Sequence, residues 1–157
     1  SGDPVVYMEH RELWGQQAEV DTTQVIELGK ARVARPGSDL TIVTWSRGVQ
    51  PSLDAAQALA DAGISAEVID LRTLWPWDRD AVLASAARTK RLLVVHEAVQ
   101  VAGFGAEVAA SVAEALPGVR VRRLGAPRIP VGYAQPLEDE SRLSVAKLLQ
   151  AARALLS

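Results

Sequence analysis

His96 and Glu97 stand next to each other after the apolar run Arg91-Leu92-Leu93-Val94-Val95. A histidine titrates near neutral pH and can act as a general acid or base. In extended backbone neighbouring side chains point to opposite faces, so His96 and Glu97 need not act together. The competing reading is a half-buried histidine hydrogen-bonded to a nearby loop. Further on, Gly103-Phe104-Gly105 opens a helix, where free backbone N–H groups attract anions. The third glycine of the dinucleotide fingerprint is missing, however, and Glu107 in the first turn would repel a phosphate. The alternative is a tight turn with Phe104 packed inward. Asp70 and Arg72 flank Leu71 and share one strand face. Arg72 could clamp a carboxylate or phosphate, or pair with Asp70 or Asp78 and hold its loop, and the structural pairing is preferred. Trp75-Pro76-Trp77 places two indoles at a strand end, where exposure is costly unless another subunit or domain covers them. His10 with Glu9 and Glu12 could be drawn as a metal set, but neither spacing nor strand context supports it.

The elements that must hold these groups are legible as alternating strands and helices. Pro4–His10 reads as a strand, and the polar stretch from Leu13 to Thr23 as a linker. Residues 1–24 are thus expected to be the exit strand and linker of a preceding domain, with a flexible arm as the alternative, and 25–157 a domain of their own. Strands are expected at Ile26–Ala34, Leu40–Trp45, Ala66–Leu71, Arg91–His96 and Val119–Leu124. Between them fall a helix capped by Ser52 or Asp54 and ending at Gly63, a helix over Arg79–Thr89 capped by Asp78, and a helix over Phe104–Leu116. A last helix is expected from about Asp139 to Leu156, with the acidic run Glu138-Asp139-Glu140 favouring its N-terminus. This order predicts an α/β fold: a three-layer α/β/α sandwich around a mostly parallel sheet of about five strands.

Bulk properties narrow the function classes. The chain has 157 residues, enough for one core. Its apolar fraction is 48%, its charged fraction 23% and its net charge −2, so neither nucleic acid nor an anionic membrane is expected as a partner. Arg120, Arg122, Arg123 and Arg128 form a basic cluster with little aromatic interleaving, which reads as a charged edge strand. There is no cysteine, and hence no disulfide and no thiolate metal site. No apolar run reaches the length of a membrane span. Ser1-Gly2 in place of an initiator Met suggests part of a longer protein. A catalytic serine elbow, a phosphate loop and a His-Glu-x-x-His motif are all missing from the sequence.

Four stretches resemble the C-terminal domain of the transketolase superfamily, and most nearly the beta subunit of thiamine-diphosphate-dependent 2-oxo acid dehydrogenases. They are Leu28-Gly29-Lys30 with Arg35 to Val43, Glu67 to Leu74 followed by Pro76 and Asp78, Val95 to Ala98 with Gly103 to Glu107, and Pro130 with Tyr133-Ala134 and Pro136-Leu137-Glu138. Trp77, between Pro76 and Asp78, resembles the branched-chain type, with pyruvate-type relatives close by. The chain departs from many relatives at Val101-Ala102, where they carry Thr-Gly.

The resemblance implies a parent enzyme that decarboxylates a branched-chain 2-oxo acid, or pyruvate, and acylates a lipoyl group. Its cofactors would be thiamine diphosphate and magnesium, held by parts of the assembly outside this chain, so this chain is expected to bind neither cofactor nor metal and to be inert alone. Its implied role is assembly: self-association of beta subunits, contact with the alpha subunit, and docking of the acyltransferase's subunit-binding domain. Trp75, Trp77 and Phe104 are the interface candidates. Arg72, His96 and Glu97 are the only catalytic candidates, Arg72 because related synthases use an arginine there to bind an anionic substrate. The compartment implied is the bacterial cytoplasm, or the mitochondrial matrix in a eukaryote. A reading of another class is a self-contained α/β enzyme or nucleotide-binding module using His96 and the Gly103 turn. Transketolase proper would need its diphosphate domain on the same polypeptide.

Overall fold

A computed structural model of the chain describes residues 2, 4, 6 and 8–157. Strands β1 (Arg32–Arg35), β2 (Leu40–Thr44), β3 (Ala66–Asp70), β4 (Arg91–Val99) and β5 (Arg120–Ala126) form one sheet in the order β1-β3-β2-β4-β5. All neighbours are parallel except β1, which runs antiparallel to β3. Helices α1 (Val49–Ala60), α2 (Arg79–Thr89), α3 (Gly105–Ala115), α4 (Gln135–Ser141) and α5 (Val145–Leu156) follow in turn. The expected three-layer sandwich is therefore the observed one.

The central strand explains the layering. Every residue of β2 is buried, as a β-branched run covered on both faces requires. Leu40 and Ile42 face a core shared with Leu59 of α1 and Leu148 of α5. Val43 faces the other core, with Val82 of α2 and Val108 of α3. Thr41 is buried too, and its hydroxyl meets those of Ser85 (2.6 Å) and Thr89 (2.7 Å) on α2.

Several boundaries differ from expectation for local reasons. The described residues of Pro4–His10 lie in no strand, and Val5 and Tyr7 of that stretch lie outside the described residues. β1 starts at Arg32 rather than Ile26, because Gly29 turns with φ +78° and donates its N–H to Thr73 Oγ1 at 3.0 Å. Helix α1 begins before its predicted caps. Ser52 lies inside it and donates its hydroxyl to Gly48 O at 2.7 Å, and Asp54 accepts from Gln50. Gly63 ends that turn as expected, with φ +79° and the Ile64 N–H returned to Leu59 O. Asp78 caps α2 through Ala81 N and also accepts from Ala31 N, stapling β1's approach to the helix. The long C-terminal helix is broken in two by Ser144, whose hydroxyl caps α5 at Lys147 N. Lys147 Nζ then donates to the carbonyls of Asp139, Glu140 and Arg142 at the C-terminal end of α4, the first of which also accepts the Arg142 N–H.

Candidate functional site

β4 is three residues longer than predicted, so His96-Glu97 lies inside it rather than at its end. The ladder to β5 pairs Val95 with Leu124 and Val99 with Ala126. His96, Glu97 and Ala98 therefore stand opposite Gly125 alone, a bulge of the kind that re-aims side chains. His96 keeps the face of Leu92 and Val94 and points into the protein, while Glu97 beside it lies toward the rim.

His96 has no exposed surface. Its ring stacks on Trp45 with centroids 5.3 Å apart and planes within 13°. Phe104 meets Trp45 edge-on at 5.8 Å, and Trp77 meets Phe104 edge-on at 6.2 Å. Glycines close the remaining sides: a Cβ on Gly103, Gly105 or Gly125 would lie 2.7, 2.5 and 2.9 Å from ring atoms. Among the described residues neither ring nitrogen makes a well-formed hydrogen bond, though the Ala98 backbone lies close enough to act on the ring. Burial lowers the His96 pKa, opposed in part by the Ala98 backbone and reinforced by the Arg123 charge.

A consequence for stability follows. Below about pH 6.5 the unfolded chain takes up a proton on this histidine while the folded chain resists it. Folding stability is thus expected to be full above that pH. It should decline by at most about 1.4 kcal/mol per pH unit as pH falls toward His96's lower folded value. Urea titrations from pH 7.5 to 5 should show this slope, and His96→Asn should flatten it.

Glu97 enters an ion-pair network. One oxygen accepts from Arg47 Nη1 at 2.9 Å and the other pairs with His10 Nε2 at 3.0 Å. Arg47 also pairs with Glu12, which pairs in turn with Arg142, and Arg142 reaches Glu138 at 3.2 Å. The His10 Nδ1 accepts the Glu12 N–H, so Nε2 is the nitrogen that carries the proton given to Glu97. Each half-exposed pair contributes at most about 1 kcal/mol, but the chain of them joins the segment around His10 to the rim of β4 and to α4.

Beside this network a cleft of about 1120 Å³ opens at the carboxyl ends of β2 and β3, lined among others by His10, Trp45, Ser46, Asp70 and Arg72. The expected pairing of Arg72 does not form. Asp70 is taken by Arg32 of the neighbouring strand, at 3.5 Å, and Asp78 is spent on its two backbone donors. Arg72 instead has φ +60° and gives Asp70 only its backbone N–H, at 3.2 Å. Burial raises the Asp70 pKa, with that N–H and the charges of Arg32 and Arg72 opposing.

The structure separates the three aromatic interface candidates. Trp75 is 86% exposed, whereas Trp77 and Phe104 are half-buried against the domain's own core. The turn before α3 does not fit a diphosphate: His96 occupies the space over Gly103 and Gly105, and Glu107 sits in the first turn. Ala102 has φ +61°, a left-handed conformation that strains a residue with a Cβ. Among the described residues no group of three or more His, Asp or Glu is placed to hold a metal. No described helix is long and apolar enough to cross a membrane. Trp45 and Arg47 are organising residues that look, in sequence, like a strand end and a turn. The available signal was an indole and a cation directly after a buried strand, at its carboxyl end.

Comparison with known proteins agrees with this architecture. The family described as Transketolase, C-terminal domain matches residues 29–148. The beta subunit of acetoin:2,6-dichlorophenolindophenol oxidoreductase from Cupriavidus necator is 39% identical over 155 residues, covering 96% of this chain and 46% of that protein. The pyruvate dehydrogenase E1 component subunit beta of Staphylococcus epidermidis is 47% identical over 116 residues, covering 73% of this chain and 36% of that protein. A solved structure, the split gene transketolase in an inactive beta4 tetramer, superposes with TM-score 0.79 at 28% identity, covering 87% of this chain and 45% of that one. The chain spans less than half the length of these relatives. The two dehydrogenase-like relatives are of acetoin and pyruvate type, not the branched-chain type that Trp77 suggested. By its sequence match and its sheet topology alike, the chain belongs to the transketolase C-terminal domain family.

Proposed function

We propose that this chain is the C-terminal part of the beta subunit of a thiamine-diphosphate-dependent 2-oxo acid dehydrogenase, and that its work is assembly. The observation that carries this is the alignment: nearly the whole chain, 96%, matches a beta subunit of which it spans only 46%. The chemistry of the rim supports it. His96 is enclosed, and Glu97, Arg47 and Glu12 are spent on one another. Thiamine diphosphate and its magnesium would be held elsewhere in the parent assembly. The relatives favour a short substrate, pyruvate or acetoin, over a branched-chain 2-oxo acid.

The surfaces offered to partners are apolar. Trp75 is 86% exposed, Val25 91% and Leu28 71%, more than an isolated domain keeps without reason. We assign these to self-association and to the alpha subunit, with the acyltransferase's subunit-binding domain as the third partner.

Light scattering tests the reading. The chain alone, then with the subunit-binding domain of the cognate acyltransferase, should run above its 16.8 kDa monomer mass. Trp75→Ala should weaken that association. A monomer indifferent to both partners, or tight binding of thiamine diphosphate to this chain, would overturn the assignment. Turnover of pyruvate, acetoin and a branched-chain 2-oxo acid by the parent complex would decide the substrate.

A further inference from the structure

Among the described residues β5 is an edge strand of seven residues with one side of its backbone unpaired. Such an edge is a template for a further strand unless something blocks it. Arg120 and Arg122 are both exposed and point to one face, about 7 Å apart by strand geometry. Among the described residues neither has a carboxylate within ion-pair distance, and Arg123 donates only to the Gln100 carbonyl.

Two grooves flank this edge. One, of about 430 Å³, runs between β5 and α5 and is lined by Arg122, Arg123, Lys147 and Gln150. The other, of about 390 Å³, lies past the strand's end beside Arg128, with Glu140 and the already paired Arg142 also in its lining, so the cations that carry the argument are those of β5. Among the described residues no aromatic side chain lines either groove. The charge is one-sided in sequence as well. Pro117 to Leu137 holds four arginines and no acid, and Ser141 to Ser157 holds Arg142, Lys147 and Arg153 and no acid, in a chain of net charge −2.

We infer that the β5 edge is a docking site for an acidic, extended polypeptide segment, added as a sixth strand. Backbone pairing would supply the register, and acidic side chains two apart would meet Arg120 and Arg122. The charges that repel a second copy of β5 are those that admit an acidic strand. Nucleic acid is the poorer fit, because the grooves offer cations without stacking surfaces.

The test uses an eight-residue peptide alternating Glu and Thr, its Lys and Thr counterpart, and a single-stranded oligonucleotide. Binding is read by fluorescence anisotropy and by NMR amide shifts and exchange. The acidic peptide should bind more weakly as salt rises, and the outward amides of β5 should gain exchange protection. The double variant R120E/R122E should lose about tenfold or more in affinity, while Arg79→Glu on α2, an equal change in charge per site, leaves it unchanged. Failure of the acidic peptide to bind, equal loss in both variants, or binding without protection of β5 would overturn the proposal. So would an oligonucleotide that binds as tightly, since the site would then be a general polyanion surface. The amide spectrum of each variant establishes that it is folded.

Discussion

Gly105→Ala is expected to lower the stability of this domain by about 2 kcal/mol, although it places a better helix former in a helix. Two effects compete. Alanine gains about 1 kcal/mol over glycine in a helix interior, and less at the first helical residue, which Gly105 is. Against this, the new Cβ would lie 2.5 Å from His96 Cδ2 and Nε2 and 3.2 Å from Val94 Cγ1. Overpacking a filled core costs about 1–3 kcal/mol, and His96 has little freedom to yield, pinned between Trp45 and two more glycines. The clash is expected to win, lowering the thermal midpoint by about 4–8 °C in a chain of this size. The origin is separable. In a His96→Ala background the obstacle is gone, and Gly105→Ala should become neutral or slightly stabilising. A destabilisation of equal size in both backgrounds would show that the glycine is required for a reason other than the ring it packs on.

This glycine also marks where sequence reasoning ran out. The β-branched run of β2, the Asp78 cap and the Gly63 stop are local signals, and each element stands where its own residues put it. His96 is visible in the sequence as a titratable group on a buried strand. Whether it meets a substrate or a closed pocket depends on Trp45, Gly103, Gly105 and Gly125, which only the fold brings to it. Strand pairing and these contacts are non-local, so neither the extra length of β4 nor the enclosure of His96 is written in residues 91–99 alone. Arg47 resembles a turn residue for the same reason. Its partners are Glu12 and Glu97, distant in sequence on both sides. Arg72 shows the converse error. Its near neighbours Asp70 and Asp78 look like the natural partners, yet Arg32, placed opposite Asp70 by the β1–β3 register, takes one and backbone donors take the other.

Trp45→Ala should cost more than Gly105→Ala, about 3 kcal/mol, with Trp45→Phe costing about 1 kcal/mol. Trp45 is half-buried, so its truncation falls at the low end of the range for large aromatic side chains. Its indole is nevertheless shared. It covers the ring of His96, receives the edge of Phe104, and forms one wall of the cleft beside Arg72. Removing it opens the enclosed histidine to that cleft, and this gives the prediction a second, independent arm. With water at the imidazole, burial would no longer hold the His96 pKa down. The stability loss between neutral pH and pH 5 should then shrink in Trp45→Ala while persisting in Trp45→Phe. Denaturant titrations of the three chains at both pH values measure both arms at once. A Trp45→Ala chain that lost stability but kept the full pH dependence would show that something other than the indole shields His96. The strand rim is thus organised outward from one stack: Trp45 seals His96, His96 fills the space over Gly103 and Gly105, and Glu97 next to it meets Arg47. At the carboxyl edge, the usual place for ligands in a parallel sheet, Arg47 and Glu97 are here consumed in fastening the segment around His10 to the domain.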